Sequence, residues 1–151
     1  MLCTFMRHHV VAALALTNLL AALSGFARAQ AASDETSAGH DLYVANCSSC
    51  HQVTGLGLPN LAPALKDNAI VAGDSGQLIQ IVLKGPAAVL PANRPKFGSN
   101  TMDSFYYKLD DNQVSAILSY VRHEFGKGAS AVPAKDVAAV REKIDPNTLN
   151  N

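Results

Sequence analysis

Asn46-Cys47-Ser48-Ser49-Cys50-His51, "NCSSCH", decides how the rest of the chain is read. Two cysteines stand three apart, with a histidine directly behind the second. On a helical turn, residues i and i+3 share a face. Both thiols then point to one side, with the imidazole next to them. The set suits a redox dithiol, half of a zinc site, a structural disulfide, or a covalent anchor for a prosthetic group. The surrounding sequence has to choose.

Upstream, Arg7, His8 and His9 form a short polar head, and Val10 to Leu23 is apolar apart from Thr17 and Asn18. Ala27-Arg28-Ala29 places small residues around a cleavage point, which completes the three-part form of a secretory signal peptide. The apolar run is short for a membrane span, which needs about 20 residues; an uncleaved N-terminal anchor is the alternative. Residues 1–29 are therefore expected to be removed, with the mature chain starting at Gln30 or Ala32, periplasmic and without a stable membrane span. Of the 12 basic residues 10 remain, and all 12 acidic ones, a net charge of −2. Without basic runs, such a chain is a poor nucleic-acid binder. The mature chain keeps only Cys47 and Cys50, only Met102, and only His40, His51 and His123.

Residues 30–37 are small and polar and read as a flexible leader. Ala38 to Asn46 reads as a short helix running into the cysteines. "TGLGLPNLAPALKDN" then reads as an irregular loop. Asp74 with Gln77, and Asp110 with Gln113, have the spacing of capping boxes. Each precedes an apolar helical pattern: Leu78, Ile79, Ile81, Val82 and Leu83, stopped by Gly85, and Val114, Ile117, Leu118, Val121 and Phe125, stopped by Gly126. Gly85 to Thr101 is a second loop, with Pro86, Pro91 and Pro95. Pro133 to Ile144 is a last helix candidate. No strand pattern is present. Loops this long are unusual unless something organises them, and a large buried group would supply core that the helices lack.

That absence of strands removes the redox dithiol, whose Cys-x-x-Cys belongs beside a strand-helix-strand unit. A structural zinc site needs about four ligands, and these cysteines and histidines match no zinc spacing. A disulfide leaves His51 unexplained. Cys-x-x-Cys-His as a haem attachment signature accounts for all three residues: Cys47 and Cys50 as thioethers, His51 as an iron ligand. For the opposite iron position the candidates are Met102, His40 and His123. His40 lies too near the attachment segment, and His123 falls on the face opposite the apolar stripe of its helix. Met102 follows a Pro-rich loop that can fold over, so metal ligands are expected at His51 and Met102.

With these residues in place, the chain resembles class I, single-haem cytochromes c from about Gly39 to Gly126. "LAPALKDNAIVAGDSGQLIQIVLKG" and "MDSFYYKLDDNQVSAILSYVRHEFG" are similar, more narrowly, to cytochrome c subunits or domains of periplasmic dehydrogenases for alcohols, aldehydes and sugar acids, and "VPAKDVAAVREKI" to their C-terminal extension. The resemblance implies an all-α fold of three to five helices and long loops around one covalently bound haem c, with a cytochrome domain at 38–126 and an extension with a short helix at 127–151. It implies that the Pro63 carbonyl bonds the other ring nitrogen of His51, and that Gly39 and Tyr43 pack the first helix against the last near Tyr120. Family members usually carry Pro directly after the ligand Met; Asp103 stands there in this chain.

Two protein ligands on the iron leave no open position for substrate, and His/Met ligation raises the potential. The expected function is a periplasmic carrier of single electrons, not an enzyme; the resemblance implies a dehydrogenase as donor and a respiratory protein as acceptor. A haem enzyme or gas sensor with a labile Met ligand, and a structural haem module, are the alternatives. Lys84, Arg94 and Lys96 fall in a stretch, Asp74 to Asp103, that has no acidic residue between its ends and that contains the apolar Ala87 to Ala92. This stretch reads as a docking face or as three solvated charges.

Overall fold

In the computed structural model, which describes residues 36–93 and 102–149, helix α1 is already running at residue 36 and continues to 46. The helix thus includes the last two residues of the expected leader. The expected signal peptide, the rest of the leader, and Arg94 and Lys96 lie outside the described residues.

Five further helices follow: α2 (Ser48–His51), α3 (Ala69–Ala72), α4 (Ser75–Lys84), α5 (Asp111–Glu124) and α6 (Ala134–Arg141), with 3-10 turns at Pro86–Ala88 and Pro146–Thr148. The described residues contain no strand, only an isolated bridge between Leu58 and Ala62. The helix count exceeds the expected three to five because α2 and α3 are single turns of four residues, too short to leave a periodic pattern.

Local chemistry explains where the helices start. The Asp110 carboxylate accepts from the Gln113 amide N–H, and the Gln113 side chain returns to the Asp110 N–H, a complete capping box. At α4 only half of that pattern forms. Asp74 accepts from the Gly76 and Gln77 amides, and the described contacts contain no return bond from the Gln77 side chain. Asn68 caps α3 by accepting from the Ile70 amide.

The core lies where α4, α5 and α6 meet, with α3 against α4 and α5. It is fuller than expected. Val132, Val137, Ile144 and Leu149, from the expected extension, belong to the same buried cluster as Leu83, Val114 and Leu118. Residues 127–149 are therefore continuous with the core. Arg122, with 6% exposure, is buried among them. Its Nε–H donates to Ser130 O, and one Nη donates to Val71 O and Gly73 O, so no polar atom of the side chain is stranded. Nothing in the periodicity marked this residue as buried.

Helix α1 crosses α5 at Gly39. A Cβ there would stand 2.4 Å from the Ala116 carbonyl oxygen and 2.9 Å from Tyr120 Cβ, so only glycine permits the approach. One turn on, Tyr43 is fully buried, its ring centroid 5.5 Å from both Tyr120 and Phe125. This is the helix pairing the sequence led us to expect.

Gly39→Val forces side chain into backbone at the crossing and is expected to cost about 3 kcal/mol. Guanidinium unfolding followed by far-UV circular dichroism measures it; a change below about 0.5 kcal/mol, the scale of a neutral surface substitution, would contradict the crossing.

Candidate haem site

Helix α1 delivers the chain directly into the cysteine motif. Cys47 N donates to Tyr43 O, and the amides of Cys50 and His51 both donate to Cys47 O, which turns the chain once and creates α2. Ser48 Oγ and Asn46 Nδ2 bond the α1 carbonyls of Val44 and Leu42. Both cysteines are free thiols, Cys47 half-buried and Cys50 exposed. Burial, helped by the charge of Cys50, pushes the Cys47 thiol up to about 11. A dithiol redox site has the opposite property, a depressed thiol pKa.

His51 is held from the far side of its ring. Its Nδ1 lies 3.0 Å from the Pro63 carbonyl oxygen. A carbonyl can only accept, so Nδ1 carries the proton and Nε2 keeps its lone pair. Burial holds the imidazole below its ordinary pKa, with the Pro63 bond opposing that shift, and the ring is neutral at pH 7. Such an imidazole is ready to ligate a metal through Nε2.

The supposedly irregular loop that carries Pro63 is closely tied. Gly57 N donates to His51 O, Leu58 and Ala62 exchange backbone bonds, and Leu65 and Lys66 donate to Gly55 O. A Cβ at Gly57 would lie 2.6 Å from the Pro63 oxygen, so the glycine lets the loop close on the group that holds His51.

A second tether comes from the core. The Tyr43 hydroxyl donates to the Gln52 carbonyl at 2.6 Å. Gln52 has φ 62 and ψ 155, a region that costs a non-glycine residue on the order of 1–3 kcal/mol. The residue after His51 is thus strained and pinned. The sequence carried no signal for this, because partner and strain appear only once α1 is docked. Burial also raises the Tyr43 phenol far above its ordinary value of 10.

Met102 is half-buried against the core. Its backbone lies beside Gly85, where an added Cβ would be 3.0 Å from Met102 O. Ser104 Oγ donates to Leu83 O at 2.6 Å, and Phe105 N to Val82 O at 3.0 Å. The segment is therefore fastened to the end of α4. Asp103, at the position where the resembled family usually carries Pro, is exposed with Lys108 Nζ at 3.7 Å. His40 packs edge-on against Tyr120, and His123 is exposed beside Glu124.

Among the described residues, no three His, Cys, Asp or Glu gather as a metal cluster. The residues that are present fit a covalently anchored haem. Two free thiols stand one turn apart, an imidazole with Nε2 available follows, and three of the four exposed large apolar side chains among the described residues, Val44, Val53 and Leu56, flank the motif.

Comparison with known proteins agrees. The cytochrome c family model matches residues 36–124. The cytochrome c subunit of gluconate 2-dehydrogenase from Pantoea cypripedii is 37% identical over 112 residues, covering 72% of this chain and 25% of that protein. The fructose dehydrogenase cytochrome subunit of Gluconobacter japonicus is 33% identical over 71% of this chain and 22% of its own length. A cytochrome c-552 of Thermus thermophilus is 30% identical over 80% of this chain and 82% of its own. The chain thus spans about a quarter of the dehydrogenase subunits it matches.

The strain at Gln52 gives a test. Gln52→Gly is expected to stabilise the protein by about 1 kcal/mol, the strain relieved less the entropy glycine adds to the unfolded chain. Tyr43→Phe is expected to cost about 1 kcal/mol through the lost hydroxyl bond. Urea unfolding of both variants reads the two effects, which should have opposite signs.

Proposed function

The chain belongs to the cytochrome c family and is a c-type electron carrier, and we propose that Cys47 and Cys50 attach its haem, with His51 and Met102 as the iron ligands. The observation that carries this assignment is the His51–Pro63 bond, which fixes the ring and leaves Nε2 unprotonated beside the two thiols. Bound there, haem supplies reversible one-electron oxidation and reduction. The chain's part is to fix the ligands. Pro63 and the pinned Gln52 turn hold His51 from two sides, and Ser104 and Phe105 hold the Met102 segment to α4. Two protein ligands held in this way would leave the iron no open position for substrate, which suits transfer over catalysis.

The dehydrogenase relatives support a dehydrogenase as electron donor, with a respiratory protein as acceptor, and the leader sequence supports export to the periplasm with cleavage after Ala29 or Ala31. Among the described residues no helix is long and apolar enough to cross a membrane. Lys84 lies half-buried at the end of α4, next to the exposed Ala87 and Ala88. Arg94 and Lys96 lie outside the described residues; with Lys84 they are the charges proposed for the basic rim of a docking face for an acidic partner.

Met102→Ala is expected to abolish the sulfur-to-iron charge-transfer band of the oxidised protein and lower its potential, whereas His123→Ala leaves both unchanged. Survival of the band in Met102→Ala would remove Met102 as ligand. For docking, Lys84→Glu, Arg94→Glu and Lys96→Glu together should slow electron uptake from the donor in stopped flow, with the deficit shrinking as salt rises. Equal rates at low salt, with haem content and potential unchanged, would dismiss the basic rim.

A further inference from the structure

We propose that Arg141 is a positioning residue for Met102, gripping the Met-bearing segment from a helix that lies beyond the family-matched region. The inference rests on Met102 as the iron ligand proposed above.

The segment leaving Met102 makes a turn in which the amides of Lys108 and Leu109 both donate to Phe105 O. Its entry is bound to α4 through Ser104 and Phe105. Its exit is hydrogen-bonded by Arg141 of α6. One Nη donates to Tyr106 O, the other to Leu109 O at 2.9 Å, and Nε–H donates to the Asp111 carboxylate at 2.6 Å. The guanidinium carbon also lies 5.0 Å from the centre of the Tyr106 ring. All three nitrogens of the fork are thus engaged, two with the Met turn and one with the first turn of α5.

The grip is set on a firm base. The Arg141 side chain is only 19% exposed. On the same helix Val137 is fully buried, and Ile144, just past its end, is 8% exposed. The approach to α6 is fastened by Ser115 Oγ donating to Val132 O, and by Val132 N donating to Ser119 Oγ. Asp103, directly after Met102, offers no comparable hold. It is solvent-exposed and its ion pair is long, so it contributes little. Among the described hydrogen bonds, two fastenings hold the chain that leaves Met102: Ser104 with Phe105 at α4, and Arg141 at α6. Lysine cannot replace the second. It keeps the charge but has no planar fork to serve two carbonyls and a carboxylate together.

The test uses the haem-loaded protein as wild type, Arg141→Gln, Arg141→Lys and Val71→Ala, the last a buried truncation in α3 that lowers stability without touching the grip. One readout is amide hydrogen exchange at Phe105 and Leu109. The other is the rate at which added imidazole displaces the sulfur-to-iron charge-transfer band. Losing charge-assisted bonds of this kind should raise both rates about tenfold or more in the two Arg141 variants, with a clearly smaller rise in Val71→Ala. Arg141 variants that match wild type, or exceed Val71→Ala in neither readout, overturn the grip while leaving the ligand assignment intact. A wild type that lacks the band overturns Met102 as ligand, and the positioning role with it, whatever exchange at Phe105 and Leu109 shows.

Discussion

One side chain, Tyr43, joins the two halves of this structure. Its ring is part of the core between α1 and α5, against Tyr120 and Phe125. Its hydroxyl reaches out of that core to the carbonyl of Gln52, the residue after His51. Helix packing, which is non-directional, is thereby converted into a directional constraint at the ligand. If α1 shifts on α5, the turn behind His51 shifts with it. The Gly39 crossing places Tyr43 for this contact, and the Pro63 bond holds His51 from the other side.

The loops and helix ends are joined in the same manner, by side-chain donors that reach backbone carbonyls across the join. Arg122 serves the end of α3 and the stretch near Ser130. Arg141 serves the turn after Met102, and Ser104 the end of α4. Phe125 adds a packing element. Its ring fills the space above Gly55, and its carbonyl accepts from the Asp67 amide. With no strand among the described residues to pair loop backbone, side-chain donors add to the loops' own backbone bonds. An unpaired buried carbonyl is costly, so each of these bonds limits where its loop can go.

What the sequence disclosed follows from how local each interaction is. The Asp110–Gln113 box was legible because both bonds close within three residues. His123 was placed in solvent correctly because a helical face is a local property. Asp74 and Gln77 have the same spacing, yet among the described contacts only the Asp74 half of the pattern forms. The Cys-x-x-Cys-His motif and its relation to Met102 could be argued from residue types and elimination. Arg122, Arg141 and the Tyr43 hydroxyl could not. Their partners lie far away in sequence, or are backbone carbonyls that carry no residue identity. The supposed shortage of core had the same origin: the contribution of Val132, Val137, Ile144 and Leu149 is visible only once the chain end has returned to α4 and α5.

The crossing at Gly39 also orders events in time. Its partner, Ala116, lies near the far end of the family-matched region, so the contact encloses α2, α3, α4 and both long loops. Closing a loop of that size must be met by entropy before any packing energy is returned, and contacts of such separation slow folding. Until α5 has emerged and docked, Tyr43 lacks the aromatic partners that bury it, and the cysteine turn has only its own local bonds to set its geometry. During that interval the two thiols belong to an open chain. The site's chemical accessibility and its final rigidity are thus properties of two different stages in the life of the polypeptide, separated by one non-local helix contact.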